Sequence, residues 1–342
     1  MPSAPSLSRR DLRKIVPGIL ISILALVLIF YLVDLQRLIE ALRLADYRLI
    51  FLLLVITLIW VFVRSIVWRT LLQERAPLGM VFLTLNEGYV LNNLLPLRLG
   101  EVGRAFLLSR KAKLGFLGVF STVLIERALD VAMAAGVLLA TLPFVVGGNF
   151  AWQAATLAGG LVIFGLVMLH LLARNQSWAF SQYERWSQRL PILEKALKPH
   201  QLEALFEGLA VLVDGRRFVR VLFLMVLNWG IAVLQFFILM RAFFPEAELV
   251  WATLSLGVMA MGVAVPSSPG AVGVLELAIM GALSVFGVDP STALAAALTA
   301  HLTNYLVTGL IGAFAFLKDG LTLTGVFRDV RQASSTQSEE TG

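Results

Sequence analysis

The chain has no cysteine, and its 342 residues include only 3 histidines. Disulfides, thiolate metal sites and cysteine nucleophiles are excluded together. Charge is scarce as well: Asp, Glu, Lys and Arg make up 15% of the residues against 58% hydrophobic, and mean hydropathy is +0.85. Soluble domains carry roughly a quarter charged residues, so a water-soluble core is excluded. The alternating short-strand pattern of a membrane β-barrel is missing too. Several apolar runs do reach the roughly 20 residues that a helix needs to cross a bilayer. The composition therefore specifies an all-α polytopic membrane protein.

The enzyme motifs searched for are equally absent. There is no Walker loop and no His-Glu-x-x-His, and His170, His200 and His301 are too scattered to hold zinc. "GAVG" at 270–273 follows no strand, so it is not a dinucleotide loop. No cofactor, no metal and no nucleotide coupling are expected. The net charge of +6 does not imply nucleic acid, because basic residues of membrane proteins gather on the cytoplasmic side.

What is present begins with a basic stretch at 1–14, "MPSAPSLSRRDLRK", followed by an apolar run that ends at Asp34 without a small-x-small cleavage site. An uncleaved first membrane helix is expected there rather than a signal peptide. Spanning or part-spanning segments are read at 15–33, 49–72, 82–108, 115–146, 151–173, 219–244, 252–286 and 291–316. The polar segment 174–218 reads as one or two interfacial helices, with Trp178 and Trp186 suited to the headgroup zone. The 321–342 tail is polar and reads as disordered.

The positive-inside rule then constrains the path. Arg9, Arg10, Arg13 and Lys14 place the N-terminus in the cytoplasm. Arg110, Lys111 and Lys113 join them only if segment 82–108 enters and leaves on one side. Lys318, Arg328 and Arg331 join them only if 252–286 does the same from the opposite side. Two re-entrant hairpins are thus expected, with both termini cytoplasmic.

Each hairpin carries the same break. Pro96, Gly100 and Gly103 recur as Pro266, Gly270 and Gly273, 170 residues later. Residues 49–140 pair with 219–316, and after an insertion near 287–290 Arg127 and Asp130 fall on His301 and Asn304. Opposed insertion makes this an inverted-topology repeat, the architecture of alternating-access transporters whose broken helices meet near the midplane.

Broken helices at membrane depth are tolerated where they are buried in protein or line a wet cavity. At the second break Ser268 is read as an N-cap with Pro269 at the first helical position. The free N–H groups around Gly270 would then face an anion such as a phosphate. At the first break Arg98 and Arg104 add phosphate-binding donors, unless they snorkel to the surface beside Arg110. Glu101 lies three residues from both and is expected to pair with one of them. "IERALD" sets Glu126, Arg127 and Asp130 on neighbouring helix positions, either as a polar pathway or as a closed ion-pair cluster. Glu276 has no basic neighbour in sequence and must find a distant partner, face water or be protonated. Asn92, Asn93, His301 and Asn304 are weaker candidates.

"NEGYVLNNLLPLRLGEVGRAFLL", "LIERALD" and "VPSSPGAVGVLE" together resemble the lysylphosphatidylglycerol synthase transmembrane region family, over about residues 15–320. The resemblance implies movement of a lipid headgroup between leaflets, with lysyl-phosphatidylglycerol as the best-known cargo. It places Arg98, Gly100, Glu101, Arg104, Glu126, Arg127, Asp130, Pro269, Gly270 and Glu276 at motif sites. Ala271 stands where the family often has a second glycine. A soluble aminoacyl-transferase domain is not recognised here, so synthesis of that lipid is not expected of this chain.

The expectation is a prokaryotic inner-membrane flippase-like transporter of a phospholipid or polyprenyl-phosphate headgroup. Its rival is a non-transporting accessory protein that presents lipid to a separate synthase or glycosyltransferase. Membrane lipid is the expected partner; a homodimer is allowed but nothing in the sequence specifies it. A lipid-phosphate enzyme would have to draw on Arg127 with Asp130 or Glu126.

Overall fold

The computed structural model describes residues 9–95, 99–189, 213–264 and 268–320. Arg98, Pro96 and Pro266 lie outside these, as do residues 190–212 of the polar segment and the 321–342 tail. The described residues form helices and turns, with no strand among them.

In chain order the helices are α1 (Arg9–Leu32), α2 (Leu35–Leu44), α3 (Tyr47–Leu71), α4 (Leu78–Leu94), α5 (Leu99–Ala112), α6 (Phe116–Val146), α7 (Gly148–Arg174), α8 (Gln176–Arg189), α9 (Gly215–Phe243), α10 (Leu249–Ala264), α11 (Val274–Ser284) and α12 (Pro290–Lys318). A short 3-10 turn, Pro269–Ala271, sits between α10 and α11. Among the described residues α3, α6, α9 and α12 are each long and apolar enough to cross a membrane, and α1 with α2, bent by 85°, makes a fifth candidate.

The ends of these helices are written in the sequence. Aspartates stand just outside the apolar runs: Asp34, Asp46, Asp214 and Asp289 are N-caps whose carboxylates accept the first free N–H groups. Asp289 accepts from Ser291 and Thr292 at 3.1 Å each, with Pro290 at the position that tolerates it. α2 was not anticipated. It is a short helix between Asp34 and Ala45, held where the Asp34 N–H donates to Ser291 Oγ at 3.0 Å and Arg37 meets Asp289 at 3.2 Å. Asp289→Ala should therefore cost about 1 kcal/mol through the lost cap. Arg37→Ala, which removes only an exposed pair, should cost less. Thermal unfolding of the two variants in one detergent compares them.

Packing brings the two expected hairpins, α4–α5 and α10–α11, into the centre. α3 lies on α9, α4 on α12, and α10 on α6, while α1 reaches the start of α11. Close approach depends on missing side chains. A Cβ at Gly312 of α12 would meet the Asn86 carbonyl oxygen of α4 at 2.5 Å, and one at Gly88 would meet Arg104 Cβ at 2.7 Å. The main apolar core joins α1, α3, α9, α10, α11 and α12 through residues such as Leu239, Met240, Ile279 and Leu283.

Candidate functional site

The site is best built outward from α6. Glu126 is fully buried one turn from Asp130, and three arginines from three helices converge on the two carboxylates. Arg64 of α3 is 2% exposed; its Nη2 donates to Glu126 Oε1 at 2.6 Å and its Nη1 to Asp130 Oδ1 at 2.7 Å. Its Nη2 also contacts Asp130 Oδ2. Arg104 of α5 donates to Glu126 Oε1 at 3.0 Å and to Glu101 Oε2 at 2.9 Å, with its guanidinium 4.6 Å above the Trp68 ring. Arg127 donates to Glu126 Oε1 at 2.9 Å and reaches Asp130 at 3.4 Å and Glu101 at 3.7 Å. Burying a guanidinium costs several kcal/mol unless good geometry and further hydrogen bonds offset it. Here Asn228 and Trp229 of α9 add further hydrogen bonds, Asn228 accepting from Arg64 and Trp229 donating to Asp130, while the buried Arg64 Nε has no protein partner.

This geometry decides between readings the sequence left open. Arg104 does not snorkel: it is 2% exposed and tied to two carboxylates. Glu101 pairs with it, as the three-residue spacing predicts. Arg64, which sequence reading missed, is the hub of the cluster. Its signal was available as a single arginine inside "IWVFVRSIVW", and an ionisable residue at membrane depth marks a polar site by default.

One face of the cluster is open. A cavity of about 410 Å³ lies between the two breaks, and Glu101 and Arg127 form its wall on the α5 and α6 side. Arg127 keeps a third of its side chain exposed, and its buried Nε has no protein partner. Across the cavity stand Ser268, Gly270, His301, Asn304 and Tyr305, with Asn92, Asn93 and Gln235 along its sides. Arg64, Arg104, Glu126, Asp130 and Glu276 lie behind this lining rather than in it. The cavity wall thus offers one guanidinium, one carboxylate and several neutral amides within a largely apolar lining that includes Leu53, Phe236, Leu239 and Ile279.

The second break differs from its sequence reading. Ser268 precedes the 3-10 turn, but its hydroxyl makes no capping bond and contacts the Val272 carbonyl oxygen at 3.3 Å. The helix starts later, with Gly273 as N-cap at φ 86°. Gly270 has φ 68° and Ala271 φ 57°, so three residues in this stretch occupy the left-handed region that favours glycine before α11 begins, and one of them is an alanine. The physical reason for the late start lies in Glu276, whose Oε2 accepts the Gly273 N–H at 2.7 Å, the return half of a capping box. Its other oxygen lies 2.5 Å from His301 Nδ1, so the distant partner that Glu276 required is a histidine 25 residues on. Tyr305 packs edge-on against that ring and donates to the Gly270 carbonyl at 3.1 Å.

A third group is separate from the cavity. Lys111, at the end of α5, donates to buried Glu87 of α4 at 2.6 Å and also contacts Asp319 at the end of α12. Sequence reading had treated Lys111 only as a topology signal.

Fold and site define a class: a multi-pass helical membrane protein with a charged cavity between two helix breaks. The chain belongs to the lysylphosphatidylglycerol synthase TM region family, which it matches over residues 15–312. It is 23% identical over 287 residues to a UPF0104 membrane protein of Methanothermobacter thermautotrophicus, covering 81% of this chain and 85% of that one. It is 22% identical over 319 residues to the UPF0104 membrane protein MJ1595 of Methanocaldococcus jannaschii, covering 87% and 93%. No solved structure matches it.

Proposed function

We propose that this protein moves a lipid headgroup bearing a phosphate, on a phospholipid or a polyprenyl chain, between the leaflets of a prokaryotic cell membrane. The observation that carries the reading is the cavity itself. The Arg127 side chain, one third exposed, lines a space of about 410 Å³ that residues of both helix breaks also line. Arginine holds phosphate through paired, charge-assisted hydrogen bonds, and Arg127 is the arginine of the described cluster that faces the space.

Alternating access between the halves is part of the proposal. It is supported by the matched packing, α4 against α12 and α10 against α6, which an inverted repeat of two re-entrant hairpins would generate. Arg110 and Lys111, in the last turn of α5, and Lys318, the last residue of α12, support cytoplasmic termini.

The second reading, an accessory protein that binds lipid without moving it, is favoured by one observation. Glu101, Glu126 and Asp130 are all paired with arginine, which is the arrangement of a static lock. Purified protein in liposomes with inner-leaflet-labelled lipid separates the two. Outward exposure of phosphatidylglycerol, lysyl-phosphatidylglycerol or a polyprenyl phosphate is expected for one of the three. Arg127→Ala should slow it roughly tenfold or more, the equivalent of one lost charge-assisted hydrogen bond. Tight binding with no exposure of any of them would replace transport by the accessory reading.

A further inference from the structure

Proton coupling needs a buried group that changes charge near neutral pH, and the charged pairs differ sharply in that respect. Glu101, Glu126 and Asp130 are held by Arg64, Arg104 and Arg127. Arginine does not deprotonate in proteins, so these carboxylates stay ionised opposite permanent cations. Glu87 and Asp319 are held by Lys111, and none of the three lines the cavity. Among the described residues, Glu276 is the buried acid held by a histidine, a side-chain type that exchanges a proton near neutral pH, and that histidine, His301, lines the cavity.

The histidine is placed to report that change to the cavity. Its side chain is 9% exposed, its Nδ1 faces Glu276 at 2.5 Å, and its Nε2 is buried without a partner. The ring lines the same cavity as Arg127. An ionised carboxylate only accepts, so Nδ1 carries the hydrogen in the neutral ring and Nε2 presents a bare lone pair. A proton added at Nε2 converts that acceptor into a donor and takes the pair from a net charge of −1 to zero.

We infer that the His301–Glu276 pair is a proton-binding site, filled when a phosphate group occupies the cavity and emptied when it leaves. The inference rests on the headgroup reading of that cavity. An anion next to Nε2 favours the ring that carries a second hydrogen, and by linkage the protonated ring favours the anion to the same degree. Glu276 acts as the positioning group. Its second oxygen is fixed to the Gly273 N–H, which holds the carboxylate against Nδ1 and leaves Nε2, the other nitrogen of a ring that lines the cavity, buried without a partner.

Other groups facing the pair do not mask the effect. α10 carries no titratable residue, α11 carries only Glu276, and α12 contributes Tyr305 beside His301. The part of α1 that meets the break presents Ser22, Ala25 and Leu26. From the other walls of the cavity come Tyr89 of α4, and Arg127 and Glu101, the last two already paired with each other.

The test uses the full chain in neutral detergent near pH 7. Phosphatidylglycerol is added in one arm and inorganic phosphate in another, and proton uptake is read with an indicator dye. Uptake on the order of one proton per bound lipid is expected, with the 15N-labelled His301 ring moving to its protonated signature. His301→Gln should abolish the uptake measured per bound lipid and weaken binding by the coupled amount, and His170→Gln should do neither. Uptake with phosphate alone assigns the effect to the bare anion rather than to the lipid. Lipid binding without uptake, or uptake that survives His301→Gln, overturns the inference and leaves the headgroup reading standing. If phosphatidylglycerol does not bind at all, the headgroup reading falls for that lipid class and the coupling to it falls too. The proton site is then judged on the lipid-free ring, and a ring that keeps one state from about pH 5 to 8 overturns it.

Discussion

Arg64→Ala is expected to be the most damaging single substitution outside the helix breaks, because it removes the hub and leaves Glu126 and Asp130 short of a cation. Removing one partner of a buried ion pair typically costs about 3–5 kcal/mol, since the remaining charge is buried without compensation. Two carboxylates accept from this one guanidinium, its loss leaves two arginines for three carboxylates, and Glu126 is fully buried. The variant should fail to accumulate, or should unfold in detergent well below the parent temperature. Loss of charge, not of volume, is the proposed cause, so the cycle with Glu126→Gln is informative. Arg64→Met with Glu126→Gln should recover part of the loss that Arg64→Met alone incurs. A double variant no better than the single one would mean that packing, not charge balance, is what Arg64 supplies.

The second large effect is expected at Gly100→Ala, a change of one methyl group. The added Cβ would overlap the Gly88 carbonyl oxygen and the Asn92 side chain, and the carbonyl is backbone that cannot rotate away. The α4–α5 pair would have to separate, carrying Arg104 away from Glu126 and Glu101 from Arg127. Overpacking of this kind costs about 1–3 kcal/mol before any loss of ion pairs. Gly103→Ala is the control. There the new Cβ meets Leu91 Cδ1 at 2.5 Å, the end of a side chain that can change rotamer. Gly100→Ala should therefore lose both thermal stability and lipid movement, while Gly103→Ala keeps most of each. Equal damage from the two would show that the hairpin tolerates no methyl anywhere, and that the backbone contact is not special.

These two positions illustrate what the sequence did and did not make legible. The helices α3, α6, α9 and α12 begin and end within a few residues of the apolar runs, since lipid leaves a spanning segment no alternative but a continuous helix. Charges spaced by one turn were legible too: Glu101 with Arg104, and Arg127 with Asp130, pair as helix geometry dictates. Contacts across helices were not. Nothing local links Arg64 to residues 62 and 66 positions away, and in a run dominated by Val, Ile and Trp it passed as part of a spanning segment. Glu276 announced that it needed a partner without naming it, because the turn through Gly270 and Gly273 sets which face of α12 it meets. α2 escaped for a different reason. Its ten residues mix leucine with charge, which reads equally well as a loop until the bend against α12 is known.

The pairing of Arg64, Arg104 and Arg127 with Glu101, Glu126 and Asp130 has an electrical consequence. Carrying one elementary charge through a potential of about 100 mV is worth about 2.3 kcal/mol. Three positive and three negative groups that travel together carry no net charge, so to first order the membrane voltage does no work on them. Moving these six groups is then electrically silent. A voltage acts instead on charge that enters and leaves the cavity and on the Glu276–His301 pair, whose net charge of −1 is cancelled only when the ring is protonated.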